Sequence, residues 1–374
     1  MKTISKMLTI LLAVGLLLSA TSCADVTWSY KDTKNTVSIG TYIYYMSGAY
    51  GYAQNQLTTK AQEKADPSKP TEPTDPYDLF NQKIEDKNGD KVNAREFIIK
   101  EAEKACKNLL SVNKTFDDLG LKLTDTQIEA AQKNTNDAWM YYGKNYEKLG
   151  IAKESFYQAE YLFAAKYEEI FKATYEKGGS KEVAEDDIMD FYLDEYTSYS
   201  YYPVNLYESK PSEDGQTSVS SALKDDEIKK IKDDLNKGAK EINSGDKTFE
   251  EFTKEYNKAN KITTDPTVTN AEVLADSSIG EEIKKAIEKL ENNEASTITV
   301  GKDSSAVMYV VYKGDIKDTV KDDFAKTTSY SVLQKMKAEE FGDDMQKLAE
   351  NYKCEKNEAA INKYQPEMLV TTTK

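Results

Sequence analysis

Chemistry in this chain has to come from 3 cysteines, 26 tyrosines and a surplus of carboxylates, because histidine is absent. That absence removes imidazole general bases, Ser–His–Asp triads and His-ligated metals together. A serine nucleophile would need a base such as lysine, and no G-x-S-x-G elbow occurs. The phosphate-cradling patterns G-x-x-x-x-G-K-[ST] and G-x-G-x-x-G are missing as well. In "IEDKNGDKVNARE", aligning Gly89 with the glycine of a calcium loop puts Ile84 and Arg95 where carboxylates belong, so the stretch reads as a turn. The acidic pairs Asp186-Asp187 and Asp225-Asp226 sit at helix starts, where the helix dipole favours them. No catalytic residue, metal site or cofactor is expected from these residues.

The cysteines carry a more specific signal. Residues 1–22 combine a head whose only charges are Lys2 and Lys6, an apolar run from Met7 to Leu18, and the small trio Ala20-Thr21-Ser22 before Cys23. A basic head, an apolar middle and small residues describe a secretory signal peptide. The run is shorter than the ~20 residues of a spanning helix. The trio resembles a bacterial lipobox, whose cysteine takes up a diacylglycerol, so Cys23 is the expected lipid-attachment residue. Ordinary cleavage that leaves a cysteine behind is the alternative. Each buried acyl CH₂ contributes about 0.8 kcal/mol, and multiple chains are needed for firm anchoring. Cys106 and Cys354 read as two lone buried thiols, with a bridge between them as the alternative that export would permit.

With 65 Asp and Glu against 50 Lys and Arg, the net charge is −15. Loss of Lys2 and Lys6 on cleavage makes the remainder more acidic. Such a charge argues against nucleic-acid partners. The tyrosines concentrate in "TYIYYMSGAYGYA" and "YTSYSYYPVNLY". They fill a core with hydroxyls at its rim, or they form a concave aromatic surface for extended polypeptide. Tyrosine supplies contact area at low side-chain entropy.

The elements that must position these groups are mostly helices. After "TWSYKDTKNTVSIG", read as one or two short strands, Tyr42, Met46, Ala49, Ala53 and Leu57 recur at helical spacing. "ADPSKPTEPTDPYD", with Pro67, Pro70, Pro73 and Pro76, is an exposed loop. Capping pairs Asn93/Glu96 and Thr124/Gln127 open two further helices, and a third runs from Phe156 to Thr174 before Gly178-Gly179. From about Ser198 the texture changes. A strand at Tyr199–Tyr207, a polar loop "ESKPSEDGQTSVSS", three helices (one capped by Thr248/Glu251) and the strands "STITV" and "AVMYVVYKG" make a small α/β domain. The tail is one long helix or two short ones, then a short strand and turn. The helical flanks are expected to pack together, each having too few helices to bury a core alone.

"LGIAKESFYQAEYLFAAKYEEIF", "VAEDDIMDFYLDEY", "INSGDKTFEEFTKEY" and "EEIKKAIEKLENNEASTITVGKDSSAVMYVVYKGD", in that order after a lipid anchor, resemble the lipoprotein foldases of the PrsA/SurA type. The resemblance covers nearly the whole chain after residue 22. It implies an α+β, mainly helical fold: a discontinuous helical chaperone domain from both chain ends with an inserted parvulin-like α/β domain. The implied boundaries are signal peptide 1–22, helical segment 23–197 with a loop at about 60–78, parvulin-like domain 198–315 and helical segment 316–374. Parvulin sites are built around two histidines on neighbouring strands. Here Tyr202 stands about where the first is expected, and Met308 or Tyr309 replaces the second. The family's "GGxLG" stretch is not recognisable between Tyr256 and Ile279.

Isomerase activity is therefore expected to be weak or absent. Tyr199, Tyr201, Tyr202, Met308 and Tyr309 are the candidate polypeptide contacts. The expected function is that of a membrane-anchored extracytoplasmic foldase or chaperone. Its partners would be unfolded or newly exported polypeptides and, through Cys23, the lipid bilayer. An active prolyl isomerase with an atypical site and a solute-binding lipoprotein of a transporter are the alternatives.

Overall fold

The computed structural model describes residues 27–64, 75–86, 88–212, 217–321 and 324–370. The expected signal peptide at 1–22, the expected lipid-attachment residue Cys23 and residues 65–74 of the expected proline-rich loop lie outside them. In chain order the elements are β1 (Trp28–Lys31), β2 (Thr36–Ser38), α1 (Ile39–Lys64), a 3₁₀ turn (Pro76–Asn81), β3 (Lys83–Glu85), β4 (Lys91–Asn93), α2 (Ala94–Asp118) and α3 (Asp125–Lys148). Next come α4 (Lys153–Tyr157), a π turn (Gln158–Leu162), α5 (Phe163–Tyr175), α6 (Glu185–Glu195), β5 (Tyr196–Asn205), β6 (Tyr207–Pro211), β7 (Ser218–Ala222), α7 (Asp225–Asn243) and α8 (Phe249–Asn260). The chain closes with β8 (Thr267–Val273), α9 (Glu281–Glu288), β9 (Glu294–Val300), β10 (Val307–Gly314), α10 (Phe324–Thr327), α11 (Ser329–Glu350), β11 (Glu355–Lys356) and α12 (Glu358–Ile361). The fold is mainly helical α+β.

Local sequence sets several helix starts. Asn93 accepts from the Glu96 amide, and Thr124 and Thr248 form reciprocal capping boxes with Gln127 and Glu251. Each such cap is worth about 1 kcal/mol. The stretch that mimics a calcium loop is a β3–β4 hairpin, with Gly89 at φ +81° and Asp86 accepting from the Asn88 and Asp90 amides.

The chain divides into two compact units, residues 1–182 with 338–374 and residues 183–337. In the first, the last strand pairs with the first: β11 lies beside β1 in a β11-β1-β2 sheet, with Tyr30 opposite Lys356. The Asn357 side chain donates to the Trp28 carbonyl and its amide to the Ser29 carbonyl. Arg95 of α2 reaches Glu367 at 2.7 Å and Gln365 at 2.6 Å. Tyr30, Tyr42, Met46, Ile84, Ile98 and Leu110 are among the fully buried side chains of its core. Burying each aliphatic one contributes about 1.5–3 kcal/mol. Cys106 and Cys354 are both free thiols. Cys106 is buried, and burial pushes its thiol up, while Cys354 is only partly buried.

Asp32 closes the β1–β2 turn of this unit. Its carboxylate accepts from the Lys34 and Asn35 amides and from the Tyr352 hydroxyl. Partial burial works to raise the carboxyl, but these donors outweigh it and hold it below the ordinary range. A folded-state pKa below the unfolded value of about 3.9 stabilises fully above that pH and less as pH falls through the folded value. In urea melts, Asp32→Asn is expected to be less stable than wild type at pH 7. The two should converge below about pH 4, and an offset that does not change with pH would refute this.

In the second unit β8-β5-β10-β9 form an antiparallel sheet. Strand alternation sends Tyr202, Val204, Met308, Val310 and Ala295 to one face, where α7 and α8 cover them with Leu235, Ile242, Phe249 and Phe252. Tyr199, Tyr201, Tyr309 and Val311 point to the other face, against Ile283 and Ile287 of α9 and Leu290. The unit reaches beyond 198–315 on both sides because Tyr192 of α6 packs on Tyr196 and Phe324. The polar loop expected after Tyr207 is instead the β6–β7 hairpin, and β8 is a strand that the sequence did not suggest.

Candidate functional site

The five residues singled out on β5 and β10 do not share a surface. Tyr202 is 0% exposed, Tyr199 2% and Met308 3%. The Tyr202 hydroxyl donates to Asn257 at 2.5 Å, and burial, helped by Tyr256, pushes it up to about 12. The Tyr199 hydroxyl is held by Glu272 and Ser277. These three are core residues with their polar atoms engaged, so they offer nothing to a polypeptide. Tyr201 and Tyr309 remain half-buried on the face they share with Tyr199, away from Tyr202 and Met308, their ring centroids 6.2 Å apart and edge to face.

Accessible aromatic surface lies instead in the first unit, and the first tyrosine cluster builds much of it. Along α1, Tyr42 and Met46 turn into the core while Tyr44, Tyr45 and Tyr52 come round to a groove of about 760 Å³. Ser47, Gly48 and Ala49 line the same groove. Their small size leaves room between the rings. Phe97 of α2, stacked under Tyr52 with centroids 5.5 Å apart, and Tyr146 of α3 add further wall. Beyond Tyr146, rings continue along α3 to Tyr142 and Tyr141, which are 56% and 78% exposed beside Met140 at 75%. Neighbouring exposed rings of this kind have the chemistry of an apolar contact surface.

Phe156 supports this lane from below. Buried on α4, it meets Tyr44 and Tyr146 at 5.4 Å, Trp139 and Tyr161 at 5.7 Å. Immediately after α4 the helix widens into the π turn, and such turns recur at functional sites. Here the turn exposes Glu160, which accepts from the Tyr44 hydroxyl at 2.6 Å, while Tyr45 donates to the Ala159 carbonyl. Burial and then the Glu160 carboxylate push the Tyr44 hydroxyl up, and they push Tyr146 up in the same way. These phenols stay protonated donors and apolar walls; none is poised as a base.

The candidate contacts Tyr199, Tyr201, Tyr202, Met308 and Tyr309 lie on β5 and β10, and none falls in the "TYIYYMSGAYGYA" cluster. Tyr44, Tyr45, Tyr52, Tyr146 and Glu160 were missed. The available signal was rings spread round the whole helical wheel of α1, more than one core face can use. Among the described residues no three His, Cys, Asp or Glu side chains are grouped to hold a metal ion. No described helix is long and apolar enough to cross a membrane.

No protein-family model matches the chain, and no curated protein does. Solved structures similar to it include the foldase protein PrsA from Streptococcus pneumoniae str. Canada MDR_19A, at 18% identity and a TM-score of 0.34 over 76% of this chain and 99% of that one. Another is the foldase protein PrsA from Lactococcus lactis, at 13% identity and a TM-score of 0.35 over 91% of this chain and 99% of the other.

Proposed function

We propose that this protein is a membrane-anchored, extracytoplasmic chaperone of the foldase kind, which holds unfolded exported polypeptides. In this reading both chain ends build the polypeptide-binding helical domain. The unit at 183–337 is a parvulin-like insert with weak or no prolyl isomerase activity, and Cys23 carries the lipid. The observation that carries it is the open groove walled by Tyr44, Tyr45, Tyr52, Phe97 and Tyr146. Unfolded chains expose apolar side chains that folded ones bury, so a groove of this kind discriminates between them without reading sequence. A lipid at Cys23 would keep that groove concentrated where exported chains emerge.

Speeding an X-Pro bond requires a site that favours the twisted amide over the planar one. The buried, engaged Tyr202 and Met308 supply none. In a proline-peptide assay, residues 24–374 are expected to leave relaxation at its uncatalysed tens to hundreds of seconds. Acceleration that disappears in Tyr309→Ala would favour the isomerase reading instead. The binding reading is tested by anisotropy of a labelled, reduced and alkylated secreted protein. Saturable binding is expected, competed by other unfolded chains and not by the native fold. Equal binding of native and unfolded forms, or none, would overturn it.

A further inference from the structure

The groove wall contains one feature that apolar contact does not explain. Glu160 stands exposed at the π turn, its carboxylate bonded to the Tyr44 hydroxyl and flanked by the rings of Tyr44, Tyr146 and Tyr161. Tyr44 and Tyr146 are edge to face at 5.6 Å, and Phe156 and Tyr161 likewise at 5.7 Å, so the rings around the carboxylate pack on one another. Among the described residues no lysine or arginine forms an ion pair with Glu160. Glu101, the other groove carboxylate, has Lys104 at 2.6 Å. A carboxylate among aromatic rings is the complement of a cation with apolar flanks, above all a planar guanidinium.

We propose that Glu160, Tyr44, Tyr146 and Tyr161 form a subsite for a basic side chain, arginine before lysine, of a polypeptide lying in the groove. This rests on the polypeptide-binding reading and narrows it: the preferred segments are extended, aromatic or aliphatic, and carry an arginine. The protein's net charge of −15 adds a long-range attraction for such segments. Acidic segments meet an unpaired carboxylate and are disfavoured.

The test uses residues 24–374 and two labelled unstructured peptides that differ only by arginine or its uncharged isostere citrulline between apolar residues. Wild type is expected to bind the arginine peptide about tenfold more tightly, equivalent to about 1.4 kcal/mol. Glu160→Gln should bring the arginine peptide down to the citrulline peptide and leave the latter unchanged. Glu160→Lys should reverse the preference toward a third peptide with glutamate at the same position, an outcome that a merely structural role for Glu160 does not produce. Circular dichroism and melting of each variant establish that it is folded; the exposed position makes this the expected result. Equal affinity of wild type for both peptides overturns the subsite and leaves the polypeptide-binding reading standing. Failure to bind either peptide overturns both.

Discussion

Phe341→Ala is expected to destabilise the first unit by about 3–5 kcal/mol, the range for emptying a buried aromatic site. Phe341, on α11, is 4% exposed and sits against three rings of α5: Tyr167 at 4.7 Å, Phe171 at 5.2 Å and Tyr175 at 6.0 Å, all edge to face. Truncation removes the ring's buried area and three aromatic pairs, each worth up to about 1 kcal/mol beyond area. The surrounding rings are tied in place. The Tyr175 hydroxyl is bonded to Glu340, and Lys181 is paired with Glu340 and Asp344. Collapse into the cavity is therefore small. These contacts hold residues 338–350 to a helix more than 150 positions earlier, so the loss also measures how far the two ends of the chain depend on each other. Urea denaturation followed by tryptophan emission reports on this unit, because Trp28 and Trp139 are the protein's 2 tryptophans. A loss below about 1 kcal/mol, the size of an ordinary surface substitution, would contradict the packing described.

The second large effect has the opposite origin, overfilling. A Cβ built on Gly238 of α7 would lie 2.0 Å from Phe252 Cε2 and 2.3 Å from Cζ. Phe252 is buried and packs on Tyr256, so the ring has nowhere to retreat. Alanine at an interior helix position normally gains about 1 kcal/mol over glycine, but overpacking of a dense core costs about 1–3 kcal/mol or more. The Cβ clash is severe, so the expected net result of Gly238→Ala is a loss of up to about 2 kcal/mol. Gly48→Ala on α1 is its control. Nothing lies within 4 Å of the Cβ there, so the same replacement should stabilise by up to about 1 kcal/mol. Identical signs at the two positions in calorimetry would contradict the account of α7 against α8.

Features written in adjacent residues were legible in the sequence. The caps at Asn93, Thr124 and Thr248 and the turn at Gly89 need only local hydrogen bonds, whereas the β3–β4 pairing around that turn was not read. Strand β8 was not legible because "TVTNAEV" is a polar edge strand, where little alternation is demanded. The β6–β7 hairpin was hidden for the same reason, being exposed along most of its length. In "YTSYSYYPVNLY" rings stand at both odd and even positions. With helices on both faces of the sheet, period two separates one core from the other rather than inside from outside. The π turn at 158–162 carries no glycine or proline to announce it. Its position depends on how Phe156 seats among rings from α1 and α3, which are distant in sequence.

The central claim is that contact with the aromatic groove protects unfolded polypeptide, and light scattering from a denatured, aggregating secreted protein tests it most directly. Gly48 lines the groove and nothing lies within 4 Å of a Cβ built there, so Gly48→Gln is expected to set a polar side chain between the rings without loss of helix stability. Residues 24–374 in several-fold molar excess are expected to suppress the scattering, and Gly48→Gln, with an unchanged or higher melting point, to suppress it markedly less. Scattering that proceeds unchecked in wild-type excess, or equal protection by Gly48→Gln, would contradict the claim.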